Sequence, residues 1–147
     1  MNKLRLAFLF IFLGSVTLHA QQIRTLTFDG LLSEHKIALK DIDPAMPADW
    51  SSYTHFVMEL KTSSPQRFSL WVYRNDGTLI RIMLQPFGEK VWLRASIPLQ
   101  YLKGMDQSGN DLASSINRRT NSFWMSVWGP FGDMHSVEAI GFAMTYP

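Results

Sequence analysis

The sequence predicts an all-β fold, a two-sheet antiparallel β-sandwich of jelly-roll type with about eight strands. Short alternating or apolar runs, separated by turn residues, recur at the roughly 8–12 residue spacing of sandwiches and barrels. Beyond the first twenty residues no segment carries helix-length amphipathic periodicity. Repeats and low-complexity tracts are absent, which points to one continuous domain rather than stacked units.

Residues 1–20, MNKLRLAFLFIFLGSVTLHA, read as a secretory signal peptide. Lys3 and Arg5 supply a basic start, an apolar run follows from Leu6 to Leu13, and Ala20 is a small residue at the expected cleavage point. A comfortable membrane span needs about 20 apolar residues, so this run is too short to be one. The expectation is cleavage after Ala20, with residues 21–147 forming a single domain outside the leader. Cysteine is absent, so neither a disulfide nor a lipoprotein attachment site is available. A secreted or periplasmic protein, free of the membrane once cleaved, is expected.

Lys3 and Arg5 are two of the fourteen basic residues, so removing the leader leaves twelve against twelve acidic ones. A neutral mature chain lacks the surplus of Lys and Arg that neutralises a phosphate backbone, which excludes nucleic acid as a partner.

The predicted strands are residues 22–28, 34–40, 54–62, 66–74, 78–85, 90–97, 121–128 and 136–146. Residues 103–120, KGMDQSGNDLASSINRRT, are a long polar stretch. Connections of that length are usually functional or partly helical. DLASSIN, residues 111–117, is expected to form a turn or two of helix from an Asp111 N-cap.

Register follows from the run SLWVYRNDGTLIRIML, residues 69–84. A two-residue Asp76-Gly77 turn would set Val72 opposite Arg81 and mix apolar with charged side chains on one face. A three-residue loop, Asn75-Asp76-Gly77, with Gly77 left-handed, pairs Val72 with Ile80, Leu70 with Ile82 and Phe68 with Leu84. That register places Trp71 opposite Arg81 and Tyr73 opposite Leu79 on the other face. Carried through the PFGE loop, the same rule pairs Ile82 with Leu93, Met83 with Trp92 and Arg81 with Arg94. Two arginines directly opposite repel unless an anion lies between them.

In strand 121–128, Phe123, Met125 and Val127 read as core, which leaves Trp124 and Trp128 on the opposite side. The candidate ligand-binding residues are therefore Trp71, Tyr73, Arg81, Trp92, Arg94, Trp124 and Trp128. Sugars suit such a surface: a pyranose stacks its C–H face on an aromatic ring, and its hydroxyls take planar, multidentate donors. Guanidiniums add a preference for carboxylate or sulfate, which they grip through two hydrogen bonds. The same residues have a plain structural alternative. Trp92 and Trp124 also fit as packing residues, and Glu59 or another carboxylate from a neighbouring strand could answer the arginines.

Trp50, in PADWSSY, reads as a core plug. His35, His55 and His135 lack metal-ligand spacing and read as surface residues. Asp41, Asp43 and Asp49 in DIDPAMPAD offer oxygens to a structural calcium ion but lack the dense alternating carboxylates of a dedicated loop, so a solvated turn and no cofactor are expected. Nucleophile triads, phosphate-binding glycine loops and paired catalytic acids are not evident, so a non-catalytic role is expected.

DWSSYTHFVMEL at 49–60, FSLWVYRNDG at 68–77, EKVWLRASIPLQYL at 89–102 and VEAIGFAMTYP at 137–147 carry a further signal. In order and character these runs resemble the carbohydrate-binding-module-like jelly-roll accessory domains, galactose-binding-like in fold, found at the N-termini of secreted bacterial glycoside hydrolases such as some agarases. The resemblance implies a β-sandwich acting near carbohydrate, and a glycoside hydrolase catalytic domain as a possible neighbour. It assigns no binding residues, because such domains differ in the face they use.

The leading expectation is a non-catalytic module that binds a polysaccharide or oligosaccharide, anionic by preference, through the aromatic and arginine face. The first alternative is a structural or docking domain that packs on a partner protein. The second is a small polysaccharide lyase in which Arg81, Arg94, Tyr73 and His55 share a face.

Overall fold

The computed structural model describes residues 4–9, 23–28, 34–105 and 115–144. Among them the chain forms ten strands and two single-turn helices. The strands are β1 (Leu4–Leu9), β2 (Arg24–Phe28), β3 (Glu34–Ala38), β4 (His55–Thr62) and β5 (Phe68–Arg74), then β6 (Leu79–Pro86), β7 (Trp92–Pro98), β8 (Ser115–Arg119), β9 (Phe123–Trp128) and β10 (Val137–Ala143). The helices are α1 (Leu39–Ile42) and α2 (Leu99–Leu102).

Two antiparallel sheets result: a six-stranded one in the order β3-β10-β5-β6-β9-β8 and a four-stranded one in the order β2-β1-β4-β7. Alternate residues of both meet in one core. Phe68, Leu70, Val72, Ile80, Ile82 and Leu84 line it from the larger sheet. Phe56, Met58, Leu60, Leu93, Ala95 and Ile97 line it from the smaller one. Each fully buried side chain of Val, Leu, Ile, Phe or Met contributes roughly 1.5–3 kcal/mol by leaving water. That contribution is why the period-two pattern fixes which face points inward. All eight predicted strands are present, and the fold is the expected all-β sandwich.

The hairpin between β5 and β6 has the predicted register, with Phe68 opposite Leu84, Leu70 opposite Ile82, Trp71 opposite Arg81 and Val72 opposite Ile80. Gly77 has φ 82°, the left-handed conformation that the three-residue loop requires. The Asp76 carboxylate accepts hydrogen bonds from the Thr78 N–H at 2.9 Å and hydroxyl at 2.6 Å, closing the turn.

Three expectations are corrected. β6 does not pair with β7; its second neighbour is β9, and β7 pairs with β4 in the other sheet. The segment between them crosses from sheet to sheet. Phe87 N–H donates to Ser122 O at 2.9 Å beside β9, and three residues on, Lys90 N–H donates to Thr62 O at 2.7 Å at the end of β4. Core parity is satisfied either way, because Leu93, Ala95 and Ile97 bury as well against β4 as they would against β6. Strand alternation alone therefore cannot tell a hairpin from a crossover.

The second correction concerns DLASSIN. Residues 111–114 lie outside the described residues, but Ser115 to Asn117 belong to strand β8, paired with β9. An unpaired edge beside β9 offers backbone partners to the polar run SINRR, which has no apolar stripe to favour a helix. Third, the strand predicted at 34–40 ends at Ala38, where the chain turns into α1 and buries Leu39.

Leu4–Leu9, inside the segment expected to be a leader, pairs with β2 on one side and β4 on the other. Trp50 plugs the core as expected. It stacks on Phe56 with ring centroids 5.4 Å apart and donates its indole N–H to Pro47 O at 2.9 Å.

Candidate ligand-binding site

Five of the seven candidate residues share the outer face of the six-stranded sheet. Trp71 and Tyr73 come from β5, Arg81 from β6, and Trp124 and Trp128 from β9. Pairing aligns one row across this face, perpendicular to the strands: Lys36, Gly141, Trp71, Arg81 and Trp128. Arg81 is thus an exposed guanidinium flanked in register by two indoles, and Trp128 is 51% exposed. Among the described residues no carboxylate lies within ion-pair distance of Arg81.

Trp92 and Arg94 are not part of this face. β7 carries them on the outer side of the four-stranded sheet, opposite Lys61 and Glu59 of β4 respectively. Trp92 is 46% exposed there. The inferred Arg81–Arg94 pair therefore does not exist, and Arg94 instead faces a carboxylate position across the ladder. The lyase constellation divides in the same way, with Arg81 and Tyr73 on one sheet and Arg94 and His55 on the other.

Tyr73 is half-buried and already engaged. Its hydroxyl donates to the Glu34 carboxylate, and Lys36 Nζ sits 4.2 Å from its ring centroid. Its ring also approaches the backbone of β10 so closely that a Cβ on Gly141 would lie 2.8 Å from Cε2. Lys36 is further held by Glu138 at 2.8 Å. Tyr73 is therefore a fixed wall beside Trp71, with ring centroids 6.3 Å apart and planes at 67°, rather than a free stacking platform. Trp71 Nε1 and Ser126 Oγ are buried on this face with no hydrogen-bond partner among the described residues.

Sequence reasoning missed the far end of the same face. The Arg67 guanidinium lies 4.9 Å from the Trp124 ring centroid, and its Nη2 donates to Gln85 Oε1 at 3.2 Å. Arg119, paired in register with Trp124, places its guanidinium 4.8 Å from the Phe87 ring. Arg67 shares the parity of Ser69, Trp71 and Tyr73 and was legible from that alternation. Arg119 was not, because its strand was read as loop.

The histidines and aspartates meet only as the pair His135 and Asp49 among the described residues. His55 and His135 are exposed, whereas His35 is half-buried, with its Nε2 2.9 Å from Thr27 O and its ring edge-on to Phe28. Asp43 and Asp49 accept hydrogen bonds from the N–H groups of Ala45 and Ser51, each at 2.8 Å, and so close their own turns. Bonding with Ser51, reinforced by His135 at 3.3 Å, lowers the Asp49 carboxyl from 3.8 to about 2. Among the described residues no group of three or more His, Cys, Asp or Glu could hold a metal ion.

No family model, curated protein or solved structure matches this chain. Its class follows from the architecture: a two-sheet antiparallel β-sandwich whose six-stranded sheet turns three tryptophans and a run of arginines outward.

Proposed function

We propose that this protein is a non-catalytic, secreted carbohydrate-binding module that takes a polysaccharide on the outer face of its six-stranded sheet, preferring one that carries carboxylate or sulfate. The observation behind this reading is the row Trp71–Arg81–Trp128. Neighbouring strands lie about 4.8 Å apart, so the two indoles rise roughly 10 Å apart with the guanidinium between them. A sugar ring seated there stacks on an indole and offers an oxyanion to Arg81. Bidentate hydrogen bonding is the interaction for which a guanidinium is preorganised.

Calorimetric titration against neutral and acidic polysaccharides tests the reading, with Arg81→Ala, Trp71→Ala and Trp128→Ala as variants. Each variant is expected to lose about tenfold or more in affinity, the equivalent of one good contact. Variants that bind as tightly as the parent would remove this face from consideration.

A second reading, a docking domain that packs on a partner such as a catalytic domain, draws on the other sheet. Val91, just before edge strand β7, and Trp92, its first residue, are 55% and 46% exposed, an apolar pair of the kind that marks protein contacts. Co-purification with a hydrolase, lost on Trp92→Ser, would favour it.

A further inference from the structure

We propose that Arg67 and Arg119, arranged about Trp124, form a second oxyanion subsite on the same face, which takes a further carboxylate or sulfate of the same glycan chain. This inference rests on the polysaccharide-binding reading above. Three features carry it.

The guanidiniums are preorganised. The Arg67 guanidinium lies over the Trp124 ring and spends one N–H on Gln85, and the Arg119 guanidinium lies over the Phe87 ring. A guanidinium has five N–H donors in one plane, so a seat over a ring restrains it and leaves most of its donors free for a ligand. Less conformational freedom is then lost on binding than for a mobile surface arginine.

The charges are also unanswered. Among the described residues neither Arg67 nor Arg119 has a carboxylate within ion-pair distance. Trp124 stands in register between Gln85 and Arg119, with the Arg67 guanidinium over its own ring and the Arg119 guanidinium over the ring of Phe87. An anionic chain lying along Trp124 would answer both charges. By contrast, Lys36, another cation of this face, already has Glu138.

The spacing fits a chain rather than a single sugar. Gln85, which Arg67 grips, lies four residues beyond Arg81 along β6, and at about 3.4 Å per residue that is roughly 14 Å. One oxyanion on a single sugar cannot reach both Arg81 and the Arg67–Arg119 pair. A polysaccharide with charges on successive residues can, and the second contact is then made at high effective concentration.

The test titrates the parent chain, Arg81→Ala, Arg67→Ala/Arg119→Ala and Arg67→Lys with polygalacturonate and, separately, with galacturonic acid. The parent is expected to bind the polymer much more tightly than the monomer. The double variant should lose about tenfold or more for the polymer and become less sensitive to salt, while changing little for the monomer. Arg67→Lys keeps the charge but not the fork or the stack, and should fall between the two. Parent binding that is lost in Arg81→Ala but kept in the double variant would overturn the second subsite and leave the first standing. A parent chain that binds no acidic polymer would overturn both. Circular dichroism of each variant confirms that folding is unchanged.

Discussion

Arg81 and Arg94 stand on opposite outer faces of the sandwich, because β6 pairs with β9 and β7 pairs with β4. Binding of an acidic glycan should therefore separate two residues of identical chemistry. Arg81→Ala is expected to weaken the affinity about tenfold, and Arg94→Ala to leave it within about twofold. Calorimetry of both variants against one polymer measures the difference, and equal losses would contradict a single-face site.

Gly77 holds the β5–β6 hairpin at φ 82°, and a Cβ built on it meets nothing within 4 Å. The cost of Gly77→Ala is thus purely conformational, about 1–2 kcal/mol for a left-handed non-glycine residue. Gly77→Asn should recover part of it, since asparagine tolerates this region better. Urea midpoints of the three proteins check the order.

The Asp49 carboxyl is held at about 2 chiefly by its bonds with Ser51, against 3.8 ordinarily. A carboxyl depressed in the folded state contributes stability above its unfolded pKa and loses it as pH falls through the folded value. The contribution should be complete above about pH 5 and vanish towards about pH 2. Asp49→Asn keeps an acceptor for the Ser51 N–H but carries no charge. The stability gap between parent and variant should therefore be constant above that window and change only within it, as urea unfolding across pH would record.

In the chain beginning at Gln21, β1 is missing and the edge of β4 opposite β7 loses its partner at residues 59–62. Hydrogen exchange in the β4 amides that face β1 is expected to accelerate at least about tenfold relative to the full-length chain, with β5, β6 and β9 unchanged. Equal protection in the two chains would mean that β2 closes onto β4.

The sequence alone determined eight of the ten described strands and which of their faces point inward. Alternation at Phe68, Leu70 and Val72 and at Ile80, Ile82 and Leu84, with Gly77 in the loop between them, left one register that buries grease and solvates charge. Local physics sufficed because two residues per repeat and one short turn fix both pairing and orientation. The placing of five candidate residues on the outer face of the six-stranded sheet followed from such parity, whereas the burial of Trp50 was read from its place in PADWSSY.

Which strand lies beside which was decided only by tertiary structure. Leu93, Ala95 and Ile97 satisfy the same parity against β4 as against β6, so nothing within the strand chooses between them. The choice depends on residues 87–90 finding hydrogen-bond partners at Ser122 and Thr62, both distant in sequence. That choice removed Trp92 and Arg94 from the face and added Arg119, whose polar strand has no hydrophobic signature and exists because β9 offers it an edge. Strand alternation is a property of the chain, whereas strand adjacency is a property of the packed core.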